Sequence, residues 1–277
     1  MRKRLFQFAI LVIGMLVALP MTADAAKKEK KEKKPYEWTW NGEKSGNADI
    51  DAYLIGVDTL WRNMKVLHEQ WEMYQYKEDT IAVNGKYYII AHMEDSEGKY
   101  VTRGTVNWQL AHTITESVGI VGNSTVIALQ TATATLSLPQ LGLKGLSYAK
   151  YVKGGPNVIA LSAKEMKAIW KIAVQQAKRW NEMKKDAKDP ESIGYNVSEN
   201  MKKVFDKCCY IKEVTETDPQ YQVVKEVMSA KTEEQIKQES EAVFAKMETT
   251  VVLSEDKSKS LDQLDDAGLD EFNKEMS

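Results

Sequence analysis

The sequence predicts an α+β protein, in which long amphipathic helices cover a small antiparallel β-meander and the C-terminal half is helical. Residues 50–74 repeat apolar side chains at alternating spacings of three and four, which is the pattern of one helix face. Residues 80–110 alternate apolar and polar side chains around tight turns, as antiparallel strands do. Beyond residue 190, the sequence predicts further helices over 191–209, 219–230 and 233–249.

The N-terminus has the three parts of a secretory signal peptide, predicted over residues 1–26. Arg2 to Arg4 are basic, Leu5 to Leu19 form an apolar core, and Ala23 to Ala25 provide small residues for cleavage. A membrane-spanning helix needs about 20 apolar residues, and this core stops short of that at Pro20. We therefore expect cleavage and export to the periplasm or the extracellular space. Since no Cys follows the apolar core, we expect no lipid anchor.

Charge is distributed unevenly along a chain of formal net charge −2. Lys27–Lys34 is a Lys/Glu run, and residues 254–277 form an acidic segment that we expect to be a flexible tail. The run is either a solvated spacer or a tether to an anionic surface such as lipid headgroups or cell-wall polymer. We expect no nucleic-acid partner, because the rest of the chain is acidic and phosphate contacts need clustered Lys and Arg.

Residues 27–46 combine that spacer with an aromatic arm, and the body begins with the best-defined helix. Its seam and a second column of Leu54, Trp61 and His68 make a wide apolar face, typical of a helix that lies on a globular core. We expect an α+β domain over 47–188 and a helical region over 189–253, forming either one domain or two. The seam consists of Ile50, Tyr53, Val57, Leu60, Met64, Leu67, Trp71 and Tyr74.

The β-meander is predicted from its turns. Asn84-Gly85 favours a two-residue type I′ hairpin between residues 80–83 and 86–93. Residues 94–98 supply a second turn, residues 99–103 return, and residues 106–110 alternate as a further strand.

No charged residue lies between Ser117 and Leu143, and Ser, Thr, Ala and Gly are frequent there. The period-two alternation of residues 131–138 favours a strand hairpin over 112–138, although a helix is the alternative. Charge-free alternation is typical of buried hairpins and of membrane-inserting hairpins. This segment is therefore the basis of an alternative function, in which a pore-forming-like protein inserts residues 117–143 into a membrane.

After Pro139 we expect a Gly-punctuated loop that includes the Lys153–Pro156 segment. This segment is not a phosphate-binding loop, because it lacks two glycines five residues apart followed by Lys and Ser or Thr. Ser162 and Glu165 then stand in capping-box register, which predicts a helix that begins there and ends near Asp189-Pro190.

Candidate site residues are few. His92 lies two residues before Glu94 at a strand end, and His112 follows the last predicted strand, so they are weak metal candidates that could converge with Glu94 or Asp95. Cys208 and Cys209 are weak candidates too, and adjacent Cys fit ordinary disulfide geometry poorly. We expect one buried and one half-exposed thiol near a helix end. No catalytic residue and no cofactor is predicted.

These observations favour an exported bacterial cell-envelope protein that acts by binding or structural assembly. It has no recognisable catalytic motif, whereas seven Trp and twelve Tyr can furnish contact surfaces. Envelope proteins, an anionic surface or a second copy of the chain are the expected partners, and we expect no transmembrane helix after cleavage. The membrane-inserting protein is the second hypothesis, and a secreted enzyme without a recognisable motif is the third.

Overall fold

The computed structural model describes residues 36–250 of the chain. The predictions about the signal peptide, the Lys27–Lys34 run and the acidic segment 254–277 lie outside these residues. The elements, in chain order, are α1 (Ala48–Met73), β1 (Tyr74–Val83), β2 (Lys86–Asp95), α2 (Arg103–Ser137), α3 (Lys144–Asp186), α4 (Glu199–Cys208), β3 (Tyr210–Val214), α5 (Tyr221–Ser229) and α6 (Glu233–Thr249). Short 3-10 helices occupy Leu138–Leu141 and Pro190–Ile193.

Two compact units divide the described chain. The helical unit contains residues 36–68 and 113–171, and the sheet unit contains residues 69–112 and 172–250. Helices α1, α2 and α3 each contribute residues to both units.

In the helical unit, α1 confirms the predicted seam from Ile50 to Leu67, whereas Tyr74, its last predicted member, begins β1. Ile50, Tyr53 and Val57 are wholly buried, and Leu60, Met64 and Leu67 are at most 3% exposed. Leu54 and Trp61, from the second predicted column, are buried as well. The wide apolar face is therefore a packing surface, as the spacing predicts.

Tyr53 joins all three helices of the helical unit. Its hydroxyl donates to the carbonyl of Val152 at 3.4 Å and accepts from Thr131 Oγ1 at 3.4 Å. The Val152 carbonyl is the acceptor that residue 156 would normally use four residues later, and Pro156 has no N–H to give it. The tyrosine thus satisfies the carbonyl that the proline leaves without its helical partner.

The strand hairpin predicted for residues 112–138 is wrong, because these residues lie in the 35-residue helix α2. The strands predicted over 99–103 and 106–110 are also absent: Tyr100 forms only an isolated bridge to Glu94, and α2 begins at Arg103. In a helix, residues two apart lie on different faces, so the Thr-Ala alternation does not place one residue type on one side. The buried seam of α2 follows helical spacing instead and consists mostly of small residues. It contains Thr113, Ser117, Ile120, Ser124, Ile127 and Ala134.

The loop predicted after Pro139 is wrong as well, since a 3-10 helix covers Leu138–Leu141 and α3 begins at Lys144 and continues through Pro156. The glycines of the Lys153–Pro156 segment do not form a turn, and their missing side chains leave space for neighbouring tyrosines. A β-carbon at Gly155 would lie 2.1 Å from the Tyr53 hydroxyl oxygen. Ser162, predicted to cap a helix start, lies buried in the middle of α3.

In the sheet unit, the Asn84-Gly85 hairpin is confirmed. Asn84 and Gly85 both have positive φ, of 54° and 74°, as a type I′ turn requires. β1 and β2 pair in register from Tyr74 opposite Asp95 to Val83 opposite Lys86. The third strand is β3, which pairs antiparallel with the other edge of β2 and gives the order β1-β2-β3.

Helices cover both faces of this sheet. Tyr88 and Ile90 of β2 point to one face and pack in a cluster with residues of α4 and α6. Ile89, Ala91 and Met93 point to the other face, where the start of α2, the end of α3 and α5 contribute buried side chains. The central strand is therefore buried on both faces, which explains its nearly continuous apolar sequence.

The α+β fold class is confirmed, with a three-stranded antiparallel sheet, six α-helices in the described range and a helical C-terminal half. Helix α6 begins at the predicted capping box. Thr232 Oγ1 accepts from Gln235 N at 3.2 Å, and Gln235 Oε1 accepts from Thr232 N at 2.9 Å. The helix predicted over 191–209 is shorter than expected and occupies Glu199–Cys208, after Ser198 as its N-cap.

Candidate functional site

His92 lies on β2, on the sheet face that α4 and α6 cover, with its side chain wholly buried. Its Nε2 lies 3.0 Å from Glu94 Oε1 and 3.5 Å from Asp79 Oδ2. Burial lowers the pKa of His92, and the two carboxylates raise it without cancelling that effect. A neutral imidazole with its proton on Nε2 donates to Glu94, because a carboxylate only accepts.

Glu94 is the centre of this polar cluster, and only 3% of its side chain is exposed. Oε2 accepts from Lys77 Nζ at 2.6 Å, and Oε1 accepts from Lys246 Nζ as well as from His92. Burial alone would raise the pKa of Glu94, but hydrogen bonds from Lys246 and Lys77 outweigh it and lower the pKa to about 2. Glu94 is therefore charged at neutral pH.

Tyr100 closes the cluster. Its ring stacks on the His92 imidazole with 4.2 Å between centroids, and its hydroxyl donates to Asp79 Oδ2 at 3.4 Å. Burial raises the pKa of Tyr100, and the negative groups around it act in the same direction. The phenol therefore stays protonated and serves as a hydrogen-bond donor.

This arrangement suits a structural joint better than a ligand site. Three protein donors occupy the Glu94 carboxylate, and one of them, Lys246, comes from α6, so the charge connects that helix to the sheet. Among residues 36–250, no group of three or more His, Cys, Asp or Glu side chains is arranged to hold a metal ion.

His112 lies near the start of α2, where its Nε2 is 3.0 Å from Gln70 Oε1. Its ring stacks on Trp108, with 4.7 Å between centroids and 9° between planes. Asp95, the other predicted neighbour, accepts hydrogen bonds from the backbone of Glu97 and Lys99 and closes the turn after β2. Among the residues predicted to converge, the structure brings His92 and Glu94 together, whereas His112 bonds to Gln70.

Cys208 and Cys209 are free thiols at the end of α4, and both are wholly buried. The prediction that one of them is half-exposed is wrong, because Cys209 joins the same apolar cluster as Cys208. Burial raises the pKa of Cys208 to about 11 and raises that of Cys209 well above the ordinary thiol range. Arg103 fixes the backbone there by donating from Nε to the Cys209 carbonyl at 2.9 Å.

The helical unit carries an exposed apolar surface that the sequence did not single out. We call Leu136, Leu143 and Leu146 the leucine tip: they flank the connection from α2 to α3, and their exposed fractions are 78%, 89% and 75%. Leu129, two turns earlier on α2, is 77% exposed. Scattered exposed leucines need no explanation, whereas a contiguous exposed apolar patch is typical of interaction surfaces.

Polar groups of the same connection bond to the segment before α1 and to the first turn of α1. Lys144 Nζ donates to the Ser45 carbonyl at 3.1 Å, and Gln140 Oε1 accepts from Asn47 Nδ2 at 2.9 Å. Ser137 Oγ donates to Asp49 Oδ2 at 3.1 Å. The leucine tip therefore lies on an ordered connection whose polar side chains already have partners.

A line of lysines continues from the leucine tip along α3. Lys150 and Lys153 follow Leu146 by four and seven residues, so they share its helix face, and both are exposed. We call the lysines on this face the lysine stripe. Between residues 150 and 171, the non-lysine residues of the same face are Asn157, Ala160 and Ala168, so the face contains no carboxylate of α3. The stripe consists of Lys150, Lys153, Lys164, Lys167 and Lys171.

Comparison of the chain with protein-family models, with curated proteins and with solved structures finds no match. Across residues 36–250, no helix has both the length and the hydropathy that crossing a membrane requires. Function is therefore inferred from the chain's own residues.

The leucine tip had a sequence signal that was misassigned. The charge-free segment ends at Leu143, and Leu146, Lys150 and Lys153 follow it at spacings of four and three residues, which align them on one face only in a helix. That projection becomes available once residues 144–161 are known to be helical, and the Gly-Gly-Pro sequence argues against a helix there.

Proposed function

We propose that this chain is an exported bacterial cell-envelope protein that acts by binding or assembly, and that the leucine tip is its binding surface. The signal-peptide pattern of residues 1–26 supports export. The observation that carries the binding role is the leucine tip itself, because three leucines at least 75% exposed surround one ordered connection.

The buried cluster around Glu94 supports the same proposal indirectly. Its charged groups satisfy one another within the sheet unit, and Glu94 is only 3% exposed. The most strongly perturbed carboxylate of the cluster therefore has a structural role in joining α6 to the sheet. The exposed leucines, in contrast, have no such internal role.

The test compares the chain from Lys27 onward with a tip variant, Leu136→Ser, Leu143→Ser and Leu146→Ser. Size-exclusion chromatography with light scattering measures self-association, and co-sedimentation with a bacterial envelope fraction measures binding. We expect the parent chain to self-associate or to co-sediment, and the tip variant to do so at least several-fold less. A parent chain that is strictly monomeric and stays in the supernatant would contradict the proposal.

A matched control uses exposed valines of the sheet unit. Val223 and Val227 on α5 are 63% and 49% exposed, so Val223→Ser with Val227→Ser removes a smaller exposed apolar surface elsewhere. This control should behave like the parent chain. Equal losses in both variants would show that general surface hydrophobicity, and not the leucine tip, is responsible.

A further inference from the structure

We infer that the partner of the leucine tip is an anionic phospholipid bilayer, which the tip contacts from one side without crossing it. This inference rests on the proposed function, since it names the partner of the same surface. Its structural basis is the exposed leucines around the connection from α2 to α3, together with the exposed lysines on the α3 face that contains Leu146.

The apolar part of the contact comes from the leucine tip. Interfacial binding requires apolar side chains that reach the boundary between headgroups and acyl chains, and its strength grows with the apolar area buried there. Leu143 is 89% exposed, and Leu136 and Leu146 are exposed by at least 75%. No charged side chain interrupts the approach from the α2 side, because none lies between Ser117 and Leu143.

The electrostatic part comes from the lysine stripe. Each Lys near an anionic membrane surface adds about a fivefold gain in binding at low salt, and the effect fades within a Debye length. Lys150 and Lys153 lie on the same helix face as Leu146, within two turns of it. Lys164, Lys167 and Lys171 extend the stripe farther from the tip.

Two carboxylates near the tip accept internal hydrogen bonds. Asp49 Oδ2 accepts from Ser137 Oγ, and Asp51 accepts from the backbone N–H groups of Ser45 and Gly46. Glu37 and Glu43 are exposed in the segment before α1, which contacts α3 through Tyr36, Trp38 and Lys44. Within α3, Glu165 is about 100° away from Lys164 around the helix. Among the residues of α3 itself, the face that contains Leu146, Lys150 and Lys153 is therefore apolar and basic.

Three leucines and two lysines fit a bilayer better than a second copy of the chain. Stacking two copies of this face would bring like charges together, and like charges that face each other oppose association. An anionic bilayer provides both complements, an apolar interior and negative headgroups. Reversible peripheral binding also requires no helix that spans the membrane.

The experiment measures flotation of the chain from Lys27 onward with two kinds of vesicle, pure phosphatidylcholine and phosphatidylcholine mixed with phosphatidylglycerol. We expect binding to the anionic vesicles and at least tenfold weaker binding to the neutral ones. The tip variant should lose about tenfold or more at any salt concentration. Lys150→Gln with Lys153→Gln should lose about 25-fold at low salt and less at high salt.

Two matched controls separate this surface from other cations. Lys184→Gln with Lys185→Gln removes two exposed lysines from the last turn of the same helix and should keep parental binding. A variant with every Lys of Lys27–Lys34 changed to Gln tests that run separately. Circular dichroism and thermal midpoints confirm that each variant is folded.

Each outcome decides between bilayer and protein partners. Failure of the parent chain to float with anionic vesicles overturns the inference, as does binding that depends only on Lys27–Lys34. If the tip variant changes self-association or envelope co-sedimentation but not flotation, the proposed function stands and the partner is a protein. If it changes none of the three, both proposals are wrong.

Discussion

Gly155 of α3 and Tyr53 of α1 approach each other so closely that a β-carbon at position 155 would lie 2.1 Å from the tyrosine hydroxyl oxygen and 2.8 Å from its ring carbon Cζ. The glycine is therefore a packing requirement of the helical unit. It lets Tyr53 reach the Val152 carbonyl, which Pro156 leaves without its helical donor.

Gly155→Ala should destabilise the protein by about 1–3 kcal/mol, because the tyrosine must move and its hydrogen bonds are lost. The measurement is the free energy of unfolding in urea. Gly119→Ala and Gly122→Ala are matched controls in α2, since a β-carbon at either position meets open space. Each control should be neutral or stabilising by up to about 1 kcal/mol, as expected for alanine in a helix. Equal effects at all three positions would contradict the packing role.

Ser162→Ala should stabilise the protein by about 1 kcal/mol. Ser162 Oγ is buried in α3 without a hydrogen-bond partner among the described residues, and alanine removes this cost and favours the helix. Ser124 is a matched control, because it is also buried in a helix but donates to the Ile120 carbonyl at 2.8 Å. Ser124→Ala should therefore gain less stability than Ser162→Ala in the same urea titration.

The Glu94 carboxylate should make stability depend on acid pH. Its pKa is 4.5 in the unfolded chain and about 2 in the folded protein. The stabilisation that the charged Glu94 provides is therefore complete above pH 4.5 and is lost as the pH falls to about 2. Glu94→Gln mimics the protonated side chain. It should cost about 3 kcal/mol at pH 7, and the difference from the parent should shrink toward zero near pH 2. A difference that stays constant with pH would contradict the ion-pair assignment.

His92 should add a second dependence at higher pH. Its folded pKa is lowered, so the unfolded chain takes up a proton near pH 6.5 that the folded protein resists. Stability should therefore decrease as pH falls below about 6.5, toward the folded pKa. His92→Gln should remove this part of the slope and keep the Glu94 part. The readout is the unfolding free energy of both proteins at closely spaced pH values.

Neither cysteine should react with a thiol reagent in the native protein. Both thiols are buried, and burial raises the pKa of both, so little thiolate is present or accessible at neutral pH. Reaction should begin only when denaturant unfolds the chain, with the same midpoint as the loss of helical circular dichroism. Rapid labelling of one thiol without denaturant would restore the prediction of a half-exposed cysteine.

The elements that the sequence predicts well are those in which local pattern and tertiary packing agree. In α1, the three-four spacing matches the buried seam from Ile50 to Leu67. The Asn84-Gly85 turn and the Thr232 capping box depend on two to four neighbouring residues, and their geometry follows from those residues alone.

Elements in which tertiary contacts override local preference were predicted wrongly. Thr and Gly in α2 have poor helix propensity, but tertiary packing buries its small residues Ser117, Ser124 and Ala134. The close approach is shared by α1, where a β-carbon at Gly56 would lie 3.2 Å from Ile127 of α2. The Gly-Gly-Pro sequence of α3 lowers local helix stability, and its compensation comes from Tyr53, about a hundred residues earlier. Sequence pattern alone does not contain such distant partners.

The cluster around His92 was visible in sequence only in part. His92 and Glu94 share a face because they are two residues apart on a strand, and the pairing of β1 with β2 sets Lys77 opposite His92. Lys246 comes from α6, more than a hundred residues later. Its contact with Glu94 follows from the packing of that helix and has no local signal.

The sheet's strand order has a consequence for the time at which this protein can finish folding. β2 is the central strand, but its second neighbour, β3, begins only at Tyr210, after α2, α3 and α4. During synthesis, β2 therefore keeps one edge unpaired until the last third of the chain emerges. An unpaired apolar edge can pair with other chains. Truncations before residue 210 should thus aggregate, and β3 is the strand that completes the sheet.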